Sequence, residues 1–388
     1  MQVPWVALRD VVDAAAANPG VVVVVAVLAL AALAGAVALR RYQRPAGVRL
    51  RRLLADLDEV AVLMHPTPDP DAMAAAMGVA TLAEQVGAEP TLQYSGKVRH
   101  QENRAFRTVL DLEMEEVEHV SDLAAESVVL VDHNEPRGFD GHDAVLPTAV
   151  IDHHPGSGSG EEFTDVRTDY GATASIVADQ FDDLDAVPVP PDQHASEAGA
   201  EFIVPSAAAT GLLYGILADT DRLTKGADAA DFAAARYLYP GVDEGRLDRI
   251  ANPQVGSEVL ETKARAIAGR EVRGSFAVSD VGTISNVDAI PQAADELMRL
   301  EGITAVVVCG ETDGVINISG RSRDDRVHMG RTLERFAEDC PGGDGGGHPR
   351  MGGGQIPVAR ADGDEPGLSG EERNELADRL FRALDGGG

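Results

Sequence analysis

From residue 58 onward, apolar runs of strand length alternate with longer helix-length stretches, and this alternation restricts the possible folds more than any other feature. Glu59–Met64 (EVAVLM) reads as a strand, a loop follows, and Ala72–Val86 has the alanine-rich pattern of a helix. Pro90–Tyr94, Val128–Val131 and Ala149–Ile151 are further short β-like runs, with helical stretches between some of them. Parallel strands need long crossover connections, usually helices, so this order predicts an α/β fold built on a mostly parallel sheet. Ligands of such sheets gather beyond the carboxyl ends of the strands. Pro188–Glu201 reads as an exposed loop and Pro205–Ala218 as a helix ending at Asp219. A second α/β pattern starts near Ser275, passes through helix-like Pro291–Leu300 and reaches the strand Ala305–Cys309. Asn252, Pro253 and Gly256 break the pattern between the two. The expected organisation is an N-terminal segment 1–45, an α/β domain over 46–252, and a smaller α/β domain with its tail over 253–388.

The N-terminal segment has a character of its own. Residues 21–39 contain no charged or polar side chain, and at ~1.5 Å per residue they would span ~28 Å, about one hydrocarbon core. Arg40, Arg41, Arg44, Arg49, Arg51 and Arg52 follow, whereas only Arg9 precedes. A cleaved signal peptide would want a basic start and a shorter apolar core. The expectation is a single-pass cell-membrane protein with a transmembrane helix over 21–39 and the chain after residue 40 in the cytoplasm.

Composition narrows the partners. The 388 residues carry 64 Asp+Glu against 33 Lys+Arg, a formal net charge of −31. No long duplex nucleic acid is expected as a partner, because such binding needs a positive surface to displace counterions. With 3 Lys to 30 Arg, the acidity suits a halophile, since molar salt shortens the Debye length to ~3 Å and self-repulsion then costs little. Cys309 and Cys340 form no C-x-x-C pair, which excludes a disulfide framework and a thiolate zinc site.

Four polar clusters follow ordered segments: His65-Pro-Thr-Pro-Asp69-Pro-Asp71, Asp132-His133-Asn134, Asp152-His153-His154, and Asp219-Thr220-Asp221. One such cluster is usually a cap, a turn or a solvated surface. Four at strand or helix ends, where the sheet's crevice lies, converge on a site. Carboxylates with a few imidazoles and no thiolate suit manganese or magnesium better than zinc. The ligand count allows two ions sharing a carboxylate, an arrangement suited to hydrolysis of a phosphate ester.

The segments HPTPDPDA, VDHN, DHH and ADTD, in this order and spacing, resemble the DHH phosphoesterase family. Ile318-Ser-Gly-Arg321-Ser-Arg323 and Gly345-Gly-Gly-His348-Pro-Arg350 are similar to elements of that family's DHH-associated domain. The resemblance covers residues 58–360. It implies a DHH catalytic domain followed by a DHH-associated domain, with two manganese ions and magnesium as the substitute. His65 and Asp69 would bind one ion and Asp71 the other; Asp132 would bridge them, and His153 and Asp219 would complete the second site. Asp152 would orient the neighbouring histidine, and His154 would touch the substrate phosphate. Arg321, Gly345, Gly346, Gly347 and His348 would hold the far end of a nucleotide. Met73, Asp344 and the stretch Met351-Gly352-Gly353 depart from the family's usual residues; none touches an implied metal ligand.

Three functions follow from this resemblance. The first is a manganese-dependent hydrolase of short oligoribonucleotides that also takes 3′-phosphoadenosine 5′-phosphate. The second is a cyclic-di-AMP phosphodiesterase. The third, of another class, is a membrane-tethered nucleotide sensor without catalysis. The expected partners are a small phosphorylated nucleotide or short RNA, the membrane through the N-terminal helix, and a second copy of the chain in a homodimer.

Overall fold

The computed structural model describes residues 44–358 except 99 and 325, residues 368–386, and Val27. The expected membrane helix over 21–39 therefore lies, Val27 apart, outside the described residues. Among the described residues no helix is long and apolar enough to cross a membrane. The chain divides after Pro253 into two compact units.

The first unit runs α1 (Ala46–Ala55), β1 (Glu59–Met64), α2 (Pro70–Val86), β2 (Glu89–Tyr94), α3 (Gln101–Val109), β3 (Glu115–Glu116), β4 (Val128–Val131), β5 (Ala149–Asp152), β6 (Phe163–Val166), α4 (Thr173–Asp182), β7 (Val187–Pro188), β8 (Ile203–Val204), α5 (Ser206–Asp219), α6 (Ala229–Leu238) and α7 (Glu244–Ala251). Six strands form one parallel sheet in the order β3-β2-β1-β4-β5-β6. The order reverses between β1 and β4, the place where an open parallel sheet leaves a crevice beyond its strand ends. Strand alternation explains the two faces. Val60, Val62, Met64, Val129, Val131 and Ile151 pack in the cluster that holds the helices. Ala61, Leu63, Leu130 and Val150 face the other way, onto Val117, Phe139 and Val145. Helix α2 begins at the N-cap Asp69 with Pro70 in its first turn and ends at the left-handed Gly87, the signals that start and stop a helix.

The second unit runs α8 (Ser257–Ala268), β9 (Glu271–Arg273), β10 (Phe276–Thr283), α9 (Ala289–Leu297), β11 (Ala305–Thr312), β12 (Val315–Ser322), α10 (Met329–Glu338), β13 (Asp344–Gly347), β14 (Met351–Pro357) and α11 (Gly370–Asp385). Its sheet, ordered β13-β14-β12-β11-β10-β9, is mixed, with β10 and β11 parallel and the other neighbours antiparallel. Val307, Cys309 and Ile318 pack against Leu333 and Phe381 of α10 and α11. Val306 and Val308 pack against Ala293 and Leu297 of α9.

The glycine run near residue 345 is an edge strand. Gly345–Gly347 pair with Gly352–Gly354, and α10 packs onto their backbone. A Cβ at Gly330 would lie 2.2 Å from the carbonyl oxygen of Gly347, so the helix approaches the strand at backbone distance. Gly330→Ala is accordingly expected to destabilise the second unit by about 1–3 kcal/mol, read as a lower urea midpoint with an unchanged slope.

Candidate metal centre

Each predicted ligand of the first unit stands at an element end. His65 follows β1, and Asp69 and Asp71 open α2. Asp132 follows β4, Asp152 closes β5 just before His153 and His154, and Asp219 is the last residue of α5. The fold brings these side chains together around Asp132. His65 Nε2 lies 3.4 Å from Asp132 Oδ2 and 3.7 Å from Asp69 Oδ2. His153 Nε2 lies 3.6 Å from Asp132 Oδ1 and 3.3 Å from Asp219 Oδ2. Thus the two oxygens of one buried carboxylate face two different imidazoles. His65, Asp69 and Asp132 form one group able to hold a metal ion; Asp71, His153 and Asp219 form another.

Local structure fixes these groups. Asp132 has a left-handed backbone (φ 61), unfavourable for a residue with a Cβ. Its N–H donates to the Ile151 carbonyl and its Oδ1 accepts from Thr173 Oγ1 at 2.8 Å. Asp69 Oδ1 caps α2 by accepting from the N–H groups of Asp71 and Ala72, while Oδ2 turns to His65. Asp71 is fully buried, and its two oxygens accept from the N–H groups of Thr173 and Ala174, at the start of α4, at 2.7 and 2.8 Å. The amide of buried Asn103 donates to the Pro68 carbonyl and holds the loop that carries His65 and Asp69.

The donor set fits divalent cations. Nδ1 of His65 pairs with the Pro66 carbonyl and Nδ1 of His153 with the Tyr170 carbonyl. A proton on each Nδ1 leaves Nε2 with a lone pair aimed at the carboxylates. His153 Nε2 is buried with no hydrogen-bond partner, which a bound cation would relieve. Electrostatics point the same way. Burial pushes the Asp71 carboxyl well up, and the charges of Asp132, Asp219 and Asp69 push it further. Burial, then Asp69 and Asp132, raise Asp219 to about 6, and that residue also ends a helix, where the dipole disfavours an anion. Burial works against a charged His65, but the neighbouring carboxylates of Asp132 and Asp69 raise it to about 10.

Asp152 and His154 form a second pair. His154 Nδ1 donates to Asp152 Oδ1 at 2.9 Å, which holds its pKa above the ordinary value. Nδ1 is thereby committed, although it also lies 3.6 Å from Asp132, and the half-exposed ring keeps Nε2 for a group arriving from solvent. Burial pushes Asp152 up, but His154 and the Asn134 amide, 2.7 Å from Oδ2, bring it below the usual range.

In the second unit, Arg321 lies on β12 with most of its donors engaged. Nε and Nη2 contact Asp295 at 2.6 and 3.3 Å; Nη1 contacts Ser319 Oγ and the Gly320 carbonyl, each at 3.1 Å. A two-pronged grip on phosphate would have to exchange with Asp295. Gly345, Gly346 and Gly347 belong to β13, as described, and His348 follows them, exposed.

Sequence reasoning passed over Thr173, Asn103, Tyr170 and Asn134 as supports of the site. Asn134 had a signal, its place two residues after Asp132. Thr173 had none, because its hydroxyl bond reaches 41 positions back along the chain.

An uncharacterized protein of Methanocaldococcus jannaschii is 35% identical over 301 residues, covering 76% of this chain and 58% of that protein. The cyclic-di-AMP phosphodiesterase GdpP of Geobacillus thermodenitrificans is 27% identical over 321 residues, covering 77% of this chain and 45% of that protein. The chain thus spans about half the length of these two relatives. The crystal structure of an exopolyphosphatase-related protein from Bacteroides fragilis shares the fold, with a TM-score of 0.57 at 14% identity, covering 88% of this chain and 98% of that one. Residues 59–216 match the DHH family N-terminal domain and residues 273–384 the DHHA1 domain, so the chain carries both domains.

Proposed function

We propose that the chain is a divalent-metal-dependent phosphodiesterase of small nucleotides, with manganese in its two sites and magnesium as the substitute. The observation that carries this reading is the division of Asp132 between two imidazoles, Oδ2 toward His65 and Oδ1 toward His153. His65, Asp69 and Asp132 would hold one ion; Asp71, Asp132, His153 and Asp219 would hold the other. Bound there, the ions would supply a nucleophile at neutral pH and offset charge on the phosphoryl oxygens. The residues' own contribution is alignment. Asp132 and Asp71 are locked by Thr173 and Ala174, and His154, fixed on Asp152, would when protonated donate its Nε2–H to a phosphate oxygen. A complete ligand set favours catalysis over a sensor role.

Cyclic di-AMP is the first substrate candidate, supported by the relative described above. Short oligoribonucleotides and 3′-phosphoadenosine 5′-phosphate come second. The apolar run 21–39 would tether the domains to the cytoplasmic face of the cell membrane. The test is to incubate the full chain with manganese in high salt and follow four substrates by chromatography: cyclic di-AMP, a diribonucleotide, 3′-phosphoadenosine 5′-phosphate and pyrophosphate. Cleavage of the cyclic dinucleotide to a linear product is the expected result. Folded protein that cleaves none of the four would sink the enzyme reading.

A further inference from the structure

Asp231, on α6, lies outside every motif named above, yet it is fully buried and accepts hydrogen bonds from three donors, one of them shared between both oxygens. Its Oδ1 accepts from the Gly171 N–H at 3.1 Å and from Ser175 Oγ at 2.6 Å; its Oδ2 accepts from the Gly171 N–H at 2.9 Å and the Asp228 N–H at 2.7 Å. No ion pair to this carboxylate occurs among the described residues. A buried charge without a countercharge persists only where hydrogen bonds hold it.

The peptide that Asp231 grips is the one that serves the metal centre. The Gly171 N–H and the Tyr170 carbonyl belong to a single planar peptide group, and that carbonyl lies 3.2 Å from His153 Nδ1. The chain of contacts runs carboxylate, peptide, imidazole: Asp231 pulls on the N–H, and the polarised carbonyl becomes a stronger acceptor for Nδ1–H. That fixes the tautomer and makes Nε2 a better ligand, the effect a carboxylate has when it touches a ligating histidine directly. A Cβ at Gly171 would lie 2.7 Å from Asp231 Oδ2, so the residue must be glycine for the carboxylate to come this close. A second branch leaves through Ser175, in the first turn of α4. The neighbouring Thr173 and Ala174 N–H groups hold both oxygens of Asp71, and the Thr173 hydroxyl holds Asp132.

We infer that Asp231 is a positioning residue for the metal centre, acting on His153 through the Tyr170–Gly171 peptide and on Asp71 through the start of α4. The inference rests on the proposed two-metal reading and adds a residue to it. It is tested by manganese titration of the full chain in a calorimeter, with the absorption spectrum of the cobalt-substituted protein as a report on ligand geometry. Asp231→Asn keeps the shape but has one acceptor oxygen where the carboxylate has two. Manganese affinity should fall about 10–100-fold, and the cobalt bands should shift. In a His153→Ala background the same substitution should cost less, because the route through the Tyr170–Gly171 peptide then has no terminus and only the route to Asp71 remains. Affinity within twofold of wild type, or an equal loss in both backgrounds, would overturn the inference. If Asp231→Asn does not fold, Ser175→Ala tests the branch through the start of α4 by the same measurements: a three- to tenfold loss with shifted bands supports the action of Asp231 on Asp71, and no change refutes it. A wild-type chain that binds no manganese would refute the metal reading itself. A wild type that binds manganese beside an unaffected Asp231→Asn would refute the relay alone.

Discussion

Asp132→Ala should remove divalent-cation binding from both sites and lower phosphodiester hydrolysis by roughly 10³-fold or more, since a two-metal reaction fails as a unit when the shared ligand goes. The geometry makes this the most damaging single change in the first unit. Oδ2 faces His65 and Oδ1 faces His153, so in the proposed two-metal reading this carboxylate is a ligand of both sites. Stability should fall as well, for two local reasons. The left-handed backbone at residue 132 (φ 61) costs an alanine about 1–2 kcal/mol, and the Thr173 hydroxyl would lose its acceptor inside the protein. Lower activity in Asp132→Ala could then reflect partial unfolding. Asp132→Asn separates the two effects, because asparagine tolerates the left-handed region and its amide oxygen still accepts from Thr173. The asparagine variant should melt close to wild type in metal-free buffer and show no manganese binding by calorimetry. Full activity in either variant would show that Asp132 does not bridge two ions.

The legible part of this protein was the part written in contiguous residues. Strand-length runs such as EVAVLM and VVLV, and the alanine-rich α2, are local patterns, and the sheet order places their carboxyl-end polar residues around one crevice. His65, Asp69, Asp71, Asp132, His153 and Asp219 could be picked out because each follows or closes such a run. The supports could not. Asp231 serves a peptide 60 positions earlier, and Asn103 reaches Pro68 across 35; an aspartate three residues after Asp228 at a helix start reads as an ordinary cap. Glycine at 345–347 suggested a phosphate-binding loop, and the structure places these residues in strand β13. At Gly345 the backbone of α10 occupies the space a side chain would fill, at Gly347 the backbone of β14 does, and Gly346 has open space beside it. Arg321 was picked out to hold the far end of a nucleotide; its contacts through Nε and Nη2 to Asp295 of α9, 26 positions away, carry no local signal.

Asp219→Asn should change stability with opposite signs in the absence and presence of metal. Burial, then the charges of Asp69 and Asp132, raise this carboxyl from 3.8 to about 6. The folded chain therefore holds the proton more tightly than the unfolded chain does. Below about pH 4 both forms are protonated and removing the charge changes nothing. As pH rises through 6 the ionised group disfavours the fold. Two pH units correspond to about 3 kcal/mol. The side chain is a third exposed, so solvent screening reduces that to about 1–2 kcal/mol. Position adds to the effect, because Asp219 ends α5, where an anion opposes the helix dipole and asparagine does not. At pH 8 without metal the asparagine variant should thus melt higher than wild type, and at pH 4 the two should coincide. Manganese inverts the order: wild type gains stability by binding at both sites, while the variant, lacking the charged partner of His153, keeps only the gain from the site of His65, Asp69 and Asp132 and hydrolyses substrate poorly. Melting curves at two pH values, with and without manganese, give all four quantities. If the variant were less stable than wild type at pH 8 in metal-free buffer, Asp219 would be a structural carboxylate. If manganese stabilised both proteins equally, the ion would bind elsewhere.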